Sequence, residues 1–264
     1  MALETAPIHG GVTAYEDTGG DGPPVLLAHG FLMDRSMFGA QVEALRDRFR
    51  VVTWDERGTR DSSDDGQPFT YWDLASDCLE LLDYLEIERA VVGGMSQGGF
   101  LSLRLALLAP ERVGGLILID SQAGTEDPDR IPLYEALLDE WVATGPTDDM
   151  ADLVAALILG EPKLSEVWTE RWKALAPSSM VEPGRALLTR DDITDRLGEI
   201  TAPALVVHGT ADVAIPMERA EALAAGLPGC PGVVRIENGT HAANLTHPDL
   251  VNEAILTFLD GLAD

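Results

Sequence analysis

Basic residues are scarce in this sequence. Lysine and arginine together number 18 among 264 residues, against 45 aspartates and glutamates, and the only lysines are Lys163 and Lys173. The resulting formal net charge of −27 repels the phosphate backbones of nucleic acids and anionic membrane surfaces. We therefore expect no nucleic-acid partner and no membrane partner, and we interpret the acidic residues as a solvated surface that keeps the protein in solution.

The sequence also has few cysteines and no long apolar run. Cys78 and Cys230 are the two cysteines, and their spacing fits neither a disulfide framework nor a metal site. The first residues hold no basic segment followed by an apolar stretch, and no run approaches the ~20 apolar residues that span a bilayer. These absences predict an unexported protein of the reduced cytoplasm with no metal ion, and we expect no cofactor.

What the sequence does contain is a regular alternation of apolar runs and helical patterns. Six runs rich in valine, leucine and isoleucine are each followed by a loop, at 23–30, 50–58, 90–96, 113–121, 203–210 and 232–240. Such runs are typical of parallel strands that are covered on both faces. With the helical patterns between them, they predict a doubly wound, mostly parallel α/β sheet flanked by helices, with an antiparallel edge hairpin around residues 11–17.

One long segment interrupts this alternation. Between the strands predicted at 113–121 and 203–210 the chain has helical patterns but no clear strand. A structureless loop of that length is uncommon in a compact domain, so a helical insertion is the better interpretation. We expect residues 122–198 to form a cap over the ends of the strands, where open α/β sheets bind ligands, and residues 1–121 and 199–264 to form the core domain.

Three tryptophans lie on the helical patterns of this segment, Trp141, Trp168 and Trp172. Large aromatic side chains dominate the buried area of small domains, so these three can be the cap's own core. The alternative is that at least one of them lines a substrate pocket. Both interpretations stay open at this point.

The stretch VVGGMSQGGF, residues 91–100, places Ser96 among four glycines directly after an apolar run. Gly94 and Gly98 give it the G-x-S-x-G spacing of a nucleophile elbow, a sharp turn from strand to helix that lifts the serine above the sheet. An ordinary tight turn would also use glycine and serine. The motif is therefore informative only if the chain supplies a base, an acid and donors for an oxyanion.

A serine hydroxyl needs a neighbouring base to take its proton. Of the five histidines, His241 follows the last predicted strand, and enzymes with this elbow carry the base last, after the acid. Asp212 follows the strand before it and could orient His241 and stabilise the imidazolium. Asp120 also ends a strand and is the alternative acid.

Two backbone amides are the predicted oxyanion donors. Gln97 directly follows the nucleophile, and Phe31 lies in the loop after the run VLLAHG. His29 precedes that loop at the end of a buried strand. We interpret His29 as structural, holding the loop by hydrogen bonds.

Taken together these segments resemble the α/β-hydrolase superfamily over nearly the whole chain. The matching blocks, in the family's order and spacing, are HGFLMDRSMF, DERG, GGMSQGG, RVGGLILID, HGTADVAIP and GTHAANLTHP. The resemblance implies an α/β-hydrolase fold with an inserted cap, a triad of Ser96, Asp212 and His241, and oxyanion donors at Phe31 and Gln97. Within the superfamily the chain is most similar to the branch of capped esterases and 3-oxoadipate enol-lactonases.

One block departs from the family's pattern. Relatives usually read D-x-R-G-x-G-x-S, whereas this chain has DERGTRDS, with Arg60 in place of the second glycine. If Arg60 points into the mouth of the site, it could pair with a substrate carboxylate, such as that of an enol-lactone of a dicarboxylic acid.

The predicted function is hydrolysis of a small-molecule carboxylic ester or lactone through an acyl-serine intermediate. The dehalogenases and epoxide hydrolases that the chain resembles use an aspartate where Ser96 stands. Two alternatives remain: a cofactor-free haloperoxidase or perhydrolase that uses the same triad, and a non-enzymatic ligand receptor built on the hydrolase fold. The expected partner is a small-molecule substrate, and the sequence predicts neither its acyl and alcohol portions nor an oligomeric state.

Overall fold

A single β-sheet forms the centre of the fold. The computed structural model describes residues 2–8, 11–63 and 66–262. In this part of the chain eight strands form one sheet: β1 (Leu3–Ile8), β2 (Gly11–Asp17), β3 (Pro24–Ala28), β4 (Arg50–Trp54), β5 (Ala90–Met95), β6 (Val113–Ile119), β7 (Ala204–Gly209) and β8 (Val233–Ile236). Their spatial order is β1-β2-β4-β3-β5-β6-β7-β8, antiparallel for the first two pairs and parallel from β4 onward. The predicted mostly parallel sheet with an antiparallel edge hairpin is confirmed.

Helices cover both faces of the sheet. Those of the described residues are α1 (Gly39–Leu45), α2 (Tyr71–Tyr84), α3 (Gln97–Leu108), α4 (Ile131–Thr144), α5 (Asp148–Ile158), α6 (Pro162–Lys173), α7 (Val181–Leu188), α8 (Met217–Gly226), α9 (Ala243–Thr246) and α10 (Pro248–Leu262). In β3, Leu26 belongs to the same buried cluster as Leu74 of α2, while Leu27 belongs to a second cluster that includes Val251 of α10. Because successive side chains of a strand point to opposite faces, both must be apolar, which explains the continuous runs.

Local signals determine where the helices begin. At the start of α2, the Thr70 side chain accepts a hydrogen bond from the Asp73 amide at 3.4 Å, and Asp73 Oδ2 accepts one from the Thr70 amide at 2.7 Å. This reciprocal capping box satisfies two amides that have no partner within the helix. Helix α10 begins at Pro248, whose missing N–H costs nothing in a first turn.

The segment between β6 and β7 is helical, and it contains α4, α5, α6 and α7. It contacts loops that follow parallel strands: the Ala242 amide donates to the Ile158 carbonyl at 3.0 Å, and Trp172 Nε1 donates to the Leu32 carbonyl at 2.6 Å. The predicted helical insertion is therefore confirmed, and it covers the carboxyl ends of the strands. Its extent as a cap domain, residues 122–198, stays a prediction.

Two further observations concern the helices and the cysteines. None of the helices in the described ranges is long and apolar enough to cross a membrane. Cys78, which is buried, and Cys230, which is half-buried, are both free thiols.

Candidate active site

Ser96 sits at the turn from β5 into α3. Its backbone has φ 51° and ψ −110°, a conformation that side-chain-bearing residues rarely adopt. A Cβ atom at either Gly94 or Gly98 would lie 2.0 Å from the Ala28 carbonyl oxygen of the neighbouring strand. Glycine at these two positions is what lets the backbone turn this sharply against β3.

The structure brings Ser96, His241 and Asp212 together. His241 Nε2 lies 3.1 Å from Ser96 Oγ, and His241 Nδ1 lies 2.8 Å from Asp212 Oδ2. The other oxygen of Asp212 accepts hydrogen bonds from the amides of Ala214 and Ile215 at 2.8 and 2.9 Å. The carboxylate is thus fixed by its own loop, and its second oxygen faces the imidazole of His241.

Electrostatics bind the His241–Asp212 pair together. Burial by itself lowers the pKa of His241, but the charge of Asp212 and their hydrogen bond outweigh burial and hold that pKa above its ordinary value. Burial raises the pKa of Asp212, yet the charge and hydrogen bond of His241, with the amide of Ile215, hold it below the ordinary value. The geometry therefore favours an ionised Asp212 that stabilises the imidazolium form of His241.

Asp120, the alternative acid, lies at the end of β6 in a different role. Its two oxygens accept hydrogen bonds from the amides of Gly209 and Ala243 at 2.8 and 2.9 Å, so it ties the end of β7 to the loop that carries His241. Burial, followed by the nearby charge of Asp212, raises the pKa of Asp120 to about 8. The structure brings Asp212, and not Asp120, into hydrogen bonding with His241.

One cluster has the residue types of a metal site. In the described part of the chain, Asp120, His208 and Asp212 offer ligand atoms within 4.8 Å of one another. The carboxylate oxygens in this cluster accept hydrogen bonds from backbone amides or from His241, and His208 Nε2 lies 2.9 Å from the Ile215 carbonyl. We interpret the cluster as hydrogen-bonding support for the acid loop.

The two predicted oxyanion amides lie in hydrogen-bonded segments, in which Gln97 is buried and Phe31 is half-buried. Within the described residues, neither the Phe31 nor the Gln97 amide has an acceptor. His29 Nε2 accepts a hydrogen bond from the Glu56 amide at 3.0 Å, so Nδ1 carries the proton and donates to the Gly30 carbonyl at 2.8 Å. That carbonyl belongs to the same peptide unit as the Phe31 N–H, which gives His29 the loop-holding position that the sequence predicts.

The Gln97 side chain is held by hydrogen bonds to two buried side chains. Its Nε2 donates to Glu56 Oε2 at 2.7 Å, and its Oε1 accepts a hydrogen bond from the Tyr71 hydroxyl at 3.0 Å. The side chain therefore anchors the first turn of α3, while the backbone amide at the same residue is free to serve a ligand.

A cavity of about 160 Å³ opens at Ser96 and His241. Most of its wall is apolar and comes from the helical insertion, including Trp141, Met150 and Ile158. The indole Nε1 of Trp141 is buried without a hydrogen-bond partner among the described residues. A mainly apolar cavity with a few polar side chains in its wall is the usual form of a small-molecule site.

The structure adds polar side chains that the sequence analysis missed. Gln122, Glu126 and Arg190 also line this cavity, and Arg190 lies over the Phe100 ring at 4.7 Å. Gln122 and Glu126 follow the end of β6, at the edge of the sheet where ligands bind, and that position was an available signal. Arg190 carries no such signal, because it reaches the cavity through the packing of the insertion.

The remaining predicted substrate contacts line a neighbouring cavity. Arg60, Trp168 and Trp172 surround this second space, which is about 30 Å³ in volume, together with Asp34 and Arg171. Arg60 Nη1 donates to Asp34 Oδ2 at 3.0 Å, and the Arg60 side chain is 40% exposed. Its φ of 47° lies in the region that favours glycine, the residue that relatives usually carry there.

Comparisons with known proteins agree with this architecture. A family model described as "alpha/beta hydrolase fold" matches residues 23–248. RutD of Agrobacterium fabrum, a proposed carbamate hydrolase, is 31% identical over 257 residues, which cover 92% of this chain and 95% of that protein. A thermophilic esterase from Thermogutta terrifontis matches with a TM-score of 0.90 at 28% identity over 99% of both chains. An enol-lactonase from Burkholderia xenovorans LB400 matches with a TM-score of 0.88 at 25% identity, over 97% of this chain and 100% of that one. In sequence and in fold, this chain belongs to the alpha/beta hydrolase fold family.

Proposed function

We propose that this protein is a serine hydrolase that cleaves a small-molecule carboxylic ester or lactone through an acyl-serine intermediate. The observation that carries the proposal is the position of His241, with Nε2 3.1 Å from Ser96 Oγ and Nδ1 2.8 Å from Asp212 Oδ2. In this arrangement the imidazole can take the serine proton, while the carboxylate holds the required tautomer.

Acylation begins with attack by Ser96 Oγ on the substrate carbonyl carbon, and the serine proton passes to His241 Nε2. The carbonyl oxygen becomes an oxyanion and accepts hydrogen bonds from the amides of Phe31 and Gln97, which have no other acceptor in the described structure. Collapse of the tetrahedral intermediate breaks the bond to the leaving oxygen. That oxygen takes the proton from His241. With an ester it leaves as part of an alcohol, and with a lactone it stays attached as the hydroxyl group at the far end of the opened acyl chain.

Deacylation repeats the same steps with water. His241 takes a proton from a water molecule, whose oxygen attacks the acyl carbon, and the oxyanion is again held by the two amides. When the second intermediate collapses, Ser96 Oγ recovers its proton from His241 and the acid product is released. No metal or cofactor takes part in this scheme.

The cavity and the relatives support the substrate class. Walls that are mainly apolar suit an acyl or alcohol portion of modest size. Two structural relatives bear the names esterase and enol-lactonase. The name of RutD adds carbamates as a second candidate, since a carbamate carbonyl can be attacked in the same way.

The helical insertion supplies the specificity in this proposal. We take residues 122–198 as the cap, and Trp141 as its substrate contact, because its indole faces the cavity at Ser96. Arg60, Trp168 and Trp172 line the neighbouring cavity. The prediction that they bind substrate stays a prediction, for a molecule long enough to extend there.

The test compares the wild-type protein with Ser96→Ala. Both are assayed on p-nitrophenyl esters of increasing chain length, on several lactones and on a p-nitrophenyl carbamate, and both are treated with a fluorophosphonate. We expect wild-type turnover of esters or lactones and covalent labelling, and we expect both to vanish in Ser96→Ala. Ser76→Ala is the matched control, since Ser76 lies on α2 and donates to the Trp72 carbonyl.

Other results would overturn parts of the proposal. Labelling that persists in Ser96→Ala would remove Ser96 as nucleophile. Turnover that requires added hydrogen peroxide would point to the haloperoxidase or perhydrolase alternative. A folded protein with no turnover on any substrate of the panel, and no labelling, would favour the ligand receptor.

A further inference from the structure

The Phe31 amide lies in a turn with an unusual backbone. The Met33 amide donates to the Gly30 carbonyl at 2.9 Å, so Phe31 and Leu32 are the two central residues of a β-turn. Leu32, the second of these central residues, has φ 63°. A positive φ at this position is typical of a type II turn, in which glycine is the usual residue there. A leucine keeps this conformation only if its surroundings hold it there.

Helix α6 of the insertion provides a contact that does so. Trp172 Nε1 donates a hydrogen bond of 2.6 Å to the Leu32 carbonyl, and the Trp172 side chain is almost fully buried. Because the carbonyl direction depends on the backbone angles of Leu32, a donor fixed at this point selects the left-handed conformation of the residue next to Phe31.

A second contact from the same helix lies one residue earlier in α6. Arg171 Nη1 donates to Ser36 Oγ at 2.6 Å and lies 3.4 Å from Asp34 Oδ2. Asp34 in turn accepts a hydrogen bond from the Ser36 amide at 2.9 Å and so begins the short helical turn Arg35–Phe38. The chain on the carboxyl side of the turn is therefore also tied to α6.

We propose that α6 positions the oxyanion amide of Phe31 through the hydrogen bond from Trp172 to Leu32, so that docking of the insertion and formation of the oxyanion site are coupled. Trp172 is a positioning residue in this proposal and touches no reacting atom. The inference rests on the proposed serine hydrolase function, because it assigns Phe31 the task of stabilising the oxyanion.

The test is Trp172→Phe, which keeps an aromatic ring but removes the N–H donor. Loss of a whole oxyanion donor costs on the order of 10²–10³ in kcat, so a displaced donor should lower kcat about tenfold to hundredfold. On a short ester that does not extend into the neighbouring cavity, which Trp172 also lines, we expect KM to change little. We also expect the inhibition constant of an arylboronic acid, whose tetrahedral serine adduct uses the oxyanion site, to rise in parallel with the fall in kcat.

Trp72→Phe is the matched control. It also removes one indole hydrogen bond, from Trp72 Nε1 to Asp191 Oδ2 at 3.1 Å, but on helix α2 and away from the cavity. Circular dichroism and thermal unfolding of both variants establish that they are folded. If Trp172→Phe does not fold, Arg171→Gln tests the second contact, and we expect a kcat loss of a few fold with KM unchanged.

The proposal fails if folded Trp172→Phe keeps kcat and boronic acid affinity within about twofold of wild type, or if its loss appears in KM alone. It also fails if Trp172→Phe does not fold and Arg171→Gln keeps the wild-type kcat. These outcomes are distinct from failure of the proposed function, in which the wild-type protein itself shows no turnover that depends on Ser96.

Discussion

The carboxylates of Asp212 and Asp120 both lie beside the loop of His241, but they have different hydrogen-bond partners. Asp212 keeps one oxygen for His241 and gives the other to its own loop. Asp120 gives both oxygens to backbone amides, one of which belongs to Ala243. At the scale of single residues, one carboxylate faces His241, the proposed base, and the other holds the loop that carries it.

Asp212→Asn should therefore damage catalysis far more than Asp120→Asn. An amide at 212 can no longer hold the tautomer of His241 that accepts the serine proton, and the same change in another serine hydrolase costs on the order of 10⁴ in turnover. We expect Asp212→Asn to approach the loss in His241→Ala, with Asp120→Asn costing much less in kcat. Kinetics of the three variants on one ester measure this, and a crippled Asp120→Asn beside an active Asp212→Asn would reverse the assignment.

The pH dependence of activity follows from His241. Only neutral imidazole can accept the serine proton, so activity is lost as pH falls through the pKa of His241. Burial lowers the pKa of His241, but the charge of Asp212 and its hydrogen bond together outweigh burial and hold that pKa above its ordinary value, so the acid limb of kcat/KM should lie at higher pH in the wild-type protein than for a free imidazole. In Asp212→Asn, whose residue 212 is uncharged, the acid limb of the residual activity should move to lower pH. An acid limb that does not move would contradict this role of Asp212.

At the scale of secondary-structure elements, the junction of β5 and α3 places Ser96, the proposed nucleophile. The strand and the helix meet at Ser96, and β3 approaches the same turn closely enough that a Cβ at Gly98 would lie 2.0 Å from the Ala28 carbonyl. Gln97, the residue after Ser96, supplies the first amide of α3 at the same turn. The junction therefore couples the stability of the sheet to the geometry of the site.

Gly98→Ala should disturb both stability and activity. The added methyl group meets backbone atoms that cannot move aside easily, and overpacking of this kind typically costs about 1–3 kcal/mol or more. We expect a lower free energy of unfolding in urea and a lower kcat, because the first turn of α3 must shift. Gly198→Ala is the control, since no atom lies within 4 Å of its added Cβ. Equal behaviour of the two variants would show that the close approach to Ala28 has no energetic consequence.

At the scale of the whole molecule, charge is the dominant feature. A net charge of −27 on 264 residues gives a field of one sign around the protein. Arginines offset it locally, as in the pairs of Arg50 with Asp17 and Arg104 with Asp191, at 2.7 and 2.6 Å. Repulsion among the remaining acids opposes the compact state, because folding brings them closer together.

Added salt should therefore stabilise the protein. The screening length falls from about 30 Å at 0.01 M to about 3 Å at 1 M ionic strength, which weakens repulsion between exposed charges more than it weakens buried contacts. We expect the urea midpoint to rise between 0.01 and about 0.5 M sodium chloride. An equal osmolality of an uncharged solute separates screening from osmotic effects. A midpoint that falls with salt would mean that ion pairs outweigh the net repulsion.

Much of this protein follows from local order along the chain. Alternating apolar runs predict the parallel sheet, because both faces of each strand must be apolar when helices cover both. The G-x-S-x-G spacing singles out Ser96 through its immediate neighbours, and the order of elements along the chain singles out His241. The long interval without strands predicts the helical insertion.

Only packing between distant elements decides the rest. Asp212 and Asp120 both follow the carboxyl ends of strands, and the choice between them depends on which carboxylate turns toward His241. Trp141 reaches the cavity at Ser96, whereas Trp172 reaches the turn after β3, a difference that follows from how the helices of the insertion pack. Arg190 joins the cavity wall in the same way. A sequence determines the type and order of its elements, but the direction of a side chain toward a residue a hundred positions away depends on the tertiary structure.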